Sequence, residues 1–124
     1  MANDLKVTLN ENTNPWLVDI DQKDNANQVA RSALAQTITW QLNGNAANGT
    51  IVNFVWINSP PAGVFGDPSY GVNGKSMTMS DLNNSAATAG QWIYKLEIQV
   101  NGNTYWSGAT AITGTATNPS IKNN

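Results

Sequence analysis

The feature that most constrains this chain is a strictly alternating run followed by a tight turn, GQWIYKLEIQVNGNTYW, Gly90 to Trp106. Trp92, Tyr94, Leu96, Ile98 and Val100 fall on one parity, and Gln91, Ile93, Lys95, Glu97 and Gln99 on the other. Successive side chains of a strand point to opposite faces, so this pattern predicts a strand buried on one side, with the aromatic and aliphatic parity inward. Asn101-Gly102 then closes the run. A type I′ turn needs positive φ at both central positions, and Asn-Gly tolerates that best, so a two-residue hairpin is expected. In that register Ile98 lies opposite Tyr105 and Glu97 opposite Trp106, which turns Tyr105 inward and Trp106 outward.

The rest of the chain repeats this grammar. Further Asn-Gly pairs stand at Asn43-Gly44, Asn48-Gly49 and Asn73-Gly74, and the segments between them have period two. TITWQL puts Ile38, Trp40 and Leu42 on one face, and SMTMSDL adds Met77 and Met79. TIVNFVWI is apolar on both parities and suits a central strand. DLKVTL and WLVDI read as strands, and NQVARSALAQ as a helical turn or a strand. Pro60-Pro61 and Asp67-Pro68 mark a loop, where no ladder needs their missing N–H. The echo between QLNGN at Gln41 and QVNGN at Gln99 is too short for a solenoid repeat and reads as one hairpin solution used twice.

Composition narrows the chemistry. At 124 residues the chain fits a single domain over 1–124, a size at which one core suffices without staples. It has no Cys and no His. Disulfides, thiolate metal sites, cysteine nucleophiles and an imidazole base at neutral pH are therefore all excluded. Charged residues make up 11%, with a formal net charge of -2 and a pI near 4.7. No basic stripe exists to meet a phosphate backbone, so nucleic acid is not an expected partner. No apolar run reaches the roughly 20 residues of a membrane span, and MANDLKVTL lacks the features of a secretory signal. The sequence reads as a soluble cytoplasmic product, or as the mature form of an exported one. The 40% hydrophobic content with five Trp is too apolar for disorder, and the polarity is carried by amides, Ser and Thr.

Four constellations bear on function. Gly74-Lys75-Ser76 grazes a phosphate loop, but an alternating strand follows where a helix N-terminus is required. Asp19, Asp21 and Asp24 cluster as a cation site would, although Lys23 and Asp24 stand where a calcium loop wants a ligand and a Gly; a solvated strand edge is the preferred reading. No metal and no cofactor is expected. The acids are scattered, with no spacing that marks a glycosidase-like pair, and no catalytic residue is expected. Trp40, Trp56 and Trp92 occupy core-like positions, which leaves Trp16, after Asn14-Pro15, and Trp106, opposite Glu97, as the candidate binding residues. Trp16 also suits a lid over a sandwich edge. Asn48-Gly49-Thr50 and Asn83-Asn84-Ser85 match glycosylation sequons, which carry little weight without a signal segment and add no fifth constellation.

From Gln36 to Ile112 the order of elements resembles an immunoglobulin-like domain. The strand bearing Trp40, the strand bearing Trp56, SMTMSDL, Gly90-x-Trp92-x-Tyr94-x-Leu96 and the Asn-Gly hairpin match strands B, C, E, F and G. The family's cysteine positions fall near Trp40 and at Tyr94, so the resemblance implies an aromatic pair in place of the bridge. The chain is also similar to small bacterial proteins of the DP-EP type, through Asp67-Pro68 and the NPSIKNN ending, although no Glu-Pro dipeptide is present.

These readings predict an all-β, Ig-like antiparallel β-sandwich of about seven strands. The expected function is a non-catalytic protein-interaction or self-association module, whose partner is another protein or a second copy in a homo-oligomer. A carbohydrate-binding module with glycan stacked on Trp106 or Trp16 is the alternative, and a carboxylate-pair hydrolase the third.

Overall fold

In a computed structural model, residues 3–107 and 119–124 are described, apart from the side chain of Asp24. The described residues form strands β1 (Asn3–Asn10), β2 (Leu17–Asp21), β3 (Gln28–Val29), β4 (Gln36–Leu42), β5 (Thr50–Trp56), β6 (Ser69–Tyr70), β7 (Ser76–Asp81), β8 (Gly90–Val100), β9 (Asn103–Trp106) and β10 (Ser120–Asn123), with short 3₁₀ turns between some of them. NQVARSALAQ contributes only the two residues of β3. The last residues of the Gln36–Ile112 resemblance lie outside the described residues.

The strands build two sheets. One has the order β2-β1-β4-β7-β6; the other runs β3-β10-β8-β5, with β9 also paired to β8. Both β9 and β10 lie on the side of β8 away from β5, β10 along Gly90–Ile93 and β9 along Glu97–Val100. The protein is thus an all-β sandwich, with two departures from a purely antiparallel arrangement: β1 runs parallel to β4, and β3 parallel to β10. Strands that are neighbours in a sheet but distant in sequence are free to pair this way, because a long connection lets the chain return in its original direction. The count of ten among the described residues exceeds seven in part because the two-residue strands β3 and β6 join the sheet margins; eight remain without them.

The parity read from the sequence decides what fills the sandwich. Leu5, Val7 and Leu9 of β1, Ile38, Trp40 and Leu42 of β4, and Met77 and Met79 of β7 point in from one sheet. Tyr94, Leu96, Ile98 and Val100 of β8, Ile51 of β5 and Ile121 of β10 meet them from the other. Trp40 and Tyr94 span the gap with ring centroids 5.6 Å apart at 84°, in the place where the resemblance implied an aromatic pair. Phe54 stacks on Tyr94 at 4.9 Å and meets Trp56 edge-on at 4.9 Å, and Trp56 passes the chain of rings to Phe65 at 4.8 Å. Each such ring pair adds about 0.5–1.5 kcal/mol beyond its buried area.

The Asn-Gly pairs divide into kinds. Asn101 and Gly102 have φ of 53° and 83° and close the β8–β9 hairpin in the expected register, with Ile98 opposite Tyr105 and Glu97 opposite Trp106. Asn73 and Gly74 also take positive φ, inside a 3₁₀ turn that leads into β7. Asn43 is extended and only Gly44 is positive, while Gly49 is chosen for space, since a Cβ there would sit 2.5 Å from the Gln99 carbonyl oxygen.

One expectation is corrected. TIVNFVWI forms β5, which among the described residues lies at the margin of its sheet and pairs with β8 alone. Its apolar outward parity reflects no covering neighbour: Val52, Val55 and Ile57 remain exposed. Among the described residues, no helix is long and apolar enough to cross a membrane.

Candidate functional site: the outer face of β5, β8 and β9

Register assembles this face. Outward residues of β8 meet outward residues of its neighbours: Lys95 opposite Val55, and Glu97 opposite Asn53 on one side and Trp106 on the other. Ile57 extends the ladder past β5, its N–H donating to the Ile93 carbonyl at 2.8 Å. Val52, Val55 and Ile57 are 43%, 37% and 44% exposed, which leaves more than a third of each open to water. They form a row along a strand that carries no charge between Thr50 and Ile57. Beside it the Lys95 ammonium lies 4.3 Å from the Trp106 ring centroid, a cation–π contact that holds the indole against the sheet and leaves it half-buried.

The free side of β5 has its own chemistry. The Ile57 N–H points at β8, so by alternation the main-chain groups of Phe54 and Trp56 point away from the sheet. The Asn53 side chain turns back over the Phe54 N–H and accepts from it at 2.9 Å. A register irregularity between Ile51 and Asn53 bends the strand at the same place. Such self-capping and bulging blunt an edge locally, and the segment around Trp56 is left without either.

The structure brings Trp106 and Glu97 together as directly paired residues. Trp16 is not part of this face. It lies in the β1–β2 connection and stacks on Tyr105 at 5.8 Å and 21°, on the inward side of β9, where it acts as a lid and remains 39% exposed. The residues that sequence reasoning missed are Val52, Val55 and Ile57. Their signal, apolarity on both parities, was visible but pointed equally to a covered central strand.

Elsewhere the polar constellations are occupied by the fold. Asp19 and Asp21 share a side of β2 and line an open groove of about 520 Å³ with Lys6 and Lys23; the Asp24 side chain lies outside the described residues. Among the described residues, no cluster of three or more His, Cys, Asp or Glu side chains assembles that could hold a metal ion. A neighbouring groove of about 560 Å³ is lined by amide and charged side chains in equal number, but Asn3 and Gln36 spend their amides on main-chain carbonyls. The Lys75 ammonium, at the phosphate-loop-like GKS, donates to the Gly49 carbonyl at 2.8 Å. Asn83 of the second sequon is buried and its Nδ2 donates to two main-chain oxygens. Asp81, whose carboxyl burial lifts to about 6, faces the Asn123 amide.

Fold and surface together define an all-β sandwich with an uncharged apolar margin beside an aromatic–cation pair. A scan against protein-family models finds no match, and a search of curated proteins finds none either.

Proposed function

We propose that this chain is a non-catalytic association module and that its partner is a second copy of itself, joined along β5. The observation that carries this reading is the uncharged marginal strand with Val52, Val55 and Ile57 exposed on its outer side. Sheet margins are ordinarily protected by charge, Pro or a cover; here the turn at Gly74 packs on Thr50 and Ile51, and Asn53 and the irregularity before it follow, which leaves the Val55–Trp56 stretch without such a device among the described residues. Because the main-chain groups of Phe54 and Trp56 point off the sheet, an antiparallel two-fold pairing centred on Val55 sets Phe54 of one copy opposite Trp56 of the other. Val55 then meets Val55 of the second copy on the outer face, a self-complementary contact of the sort a two-fold axis requires. Trp106, Lys95 and Glu97 extend the joined face.

The immunoglobulin-like reading draws support from strand order. β1-β4-β7-β6 and β5-β8-β9 correspond to the ABED and CFG sheets of that architecture, apart from the parallel β1–β4 pair. Sugar stacking has less to support it, since Lys95 covers the Trp106 ring and Tyr105 covers one side of Trp16. An acid-pair hydrolase has less again, because the acid whose pKa is raised faces an amide.

Light scattering and sedimentation across a concentration series test the proposal. A dimer that Val55→Lys converts to monomer supports it. A chain that stays monomeric at the highest attainable concentration, or a dimer indifferent to Val55→Lys, overturns it.

A further inference from the structure

One end of the sandwich is stitched by amides where the remainder is packed by rings and aliphatics. Asn27 Nδ2 donates to the Ser120 carbonyl at 2.9 Å. Asn83 Nδ2 donates to the main-chain oxygens of Val29 and Asn124 at 3.0 and 2.9 Å, and Asn83 Oδ1 accepts from the Thr88 hydroxyl at 2.9 Å. Asn123 Nδ2 donates to Asp81 Oδ1 and to the Thr88 carbonyl, both at 2.9 Å. Both hydrogens on that nitrogen therefore meet acceptors, which fixes the orientation of the Asn123 amide. The bonds converge on β10, the strand that β3 and β8 flank.

Two atoms break the pattern. Asp81 Oδ2 and Asn123 Oδ1 are buried and have no hydrogen-bond partner. Both are acceptors, and they belong to two groups already joined on their other side. A buried polar atom without a partner costs about 1–3 kcal/mol. A single hydrogen between them satisfies both.

We propose that in mildly acidic solution Asp81 of the folded protein holds a proton and donates it from Oδ2 to Asn123 Oδ1, so that one proton closes a two-bond ring clasping β7 of one sheet to β10 of the other. Beyond the Asn123 amide, no cation among the described residues is placed to stabilise the anion, and Arg31, in the segment whose Ser32 N–H bonds the Asn83 carbonyl, is exposed. β4 sets Gln36 opposite Asp81 and has no ionisable residue from Gln36 to Leu42. Phe65 bridges Asp81 from the preceding loop, where Asp67 is exposed. The turn Ala86–Thr88 carries no charge. On β10 the charged residue is Lys122, which alternates outward and is exposed. On β8 Lys95 and Glu97 lie on the outer face, beside Val55 and Trp106.

Burial raises the Asp81 carboxyl to about 6, against the opposing pull of the Asn123 hydrogen bond. In the unfolded chain the group ionises near 3.8. Between those values the folded state binds the extra proton. The clasp's contribution is fully present below the lower value, declines as pH rises, and is lost above about 6. Ionisation sets a carboxylate against the Asn123 oxygen and loosens β10 from its neighbours.

The test is a carbon-13 titration of the Asp81 carboxyl in the full chain, with amide exchange at Lys122 and Asn124, whose N–H groups bond to the Asn27 and Val29 carbonyls. The expected midpoint is near 6. Exchange protection at those amides, corrected for intrinsic rates, should fall about tenfold between about pH 5 and about pH 7.5. Asp81→Asn supplies an N–H in place of the O–H and removes the titration, so its protection should not change with pH. A midpoint at or below about 4, or an equal fall in Asp81→Asn, overturns the proposal. The titration decides alone if that variant does not fold.

Discussion

The indole Nε1–H of Trp40 donates to the phenol oxygen of Tyr94 at 2.8 Å, so the ring pair that joins the sheets is also a hydrogen-bonded pair. Both residues are fully buried, and burial pushes the Tyr94 hydroxyl well above the usual phenol range. The resemblance drawn from the sequence implied this aromatic pair in place of a disulfide. A native bridge contributes about 2–4 kcal/mol, largely through the unfolded chain, whereas the rings act only in the folded state.

Tyr94→Phe keeps the ring and removes the acceptor, leaving the Trp40 N–H buried and unpaired. Stability should fall by about 1–3 kcal/mol, read as a lower urea midpoint with an unchanged slope. A midpoint equal to that of the parent would mean that the sheets are joined by packing alone.

Asn83→Ala should cost a similar amount, about 1–3 kcal/mol, although no catalytic or binding role is assigned to the residue. It removes the side-chain donor from the main-chain oxygens of Val29 and Asn124, of which Val29 keeps the Asn124 N–H, and leaves the Thr88 hydroxyl to the Ser85 carbonyl. Thermal unfolding measures the loss, and an unaltered melting temperature would refute the stitching role of the amide.

Gly49→Ala and Gly102→Ala separate two reasons for glycine. At Gly49 the added carbon meets the Gln99 carbonyl oxygen at 2.5 Å, and main chain cannot step aside cheaply. At Gly102 nothing lies within 4 Å, and the obstacle is a φ of +83°. The first substitution should cost about 1–3 kcal/mol and the second about 1 kcal/mol. Denaturant titration of both variants would show the reverse order if crowding at Gly49 were relieved by a small shift.

Asn53→Ala uncovers the Phe54 N–H on the free side of β5. If that side chain protects the margin, the variant should associate more strongly than the parent. Light scattering at matched concentrations reads the change, and weaker association would assign Asn53 to the contact itself.

Much of the fold was legible. Parity named the inward residues of β4, β7 and β8, and Asn101-Gly102 set the register that puts Trp106 beside Glu97. Both follow from geometry within a few bonds of each residue. The site was legible only in part. Trp16 stacks on Tyr105 across the β1–β2 connection, a contact with no local signature, and the Lys95 contact on Trp106 joins residues that only the paired strands bring together.

By itself the sequence determined which side chains face inward, where the final hairpin turns and which chemistries are missing, because alternation, turn preference and residue type are local properties. Tertiary structure alone decided that TIVNFVWI lies at a margin with its aliphatic residues uncovered, and that Asp81 meets an amide 42 positions away. Those outcomes depend on which strands become neighbours. That choice is made by packing across the whole sandwich, where the same apolar parity serves a covered strand and an open one equally well.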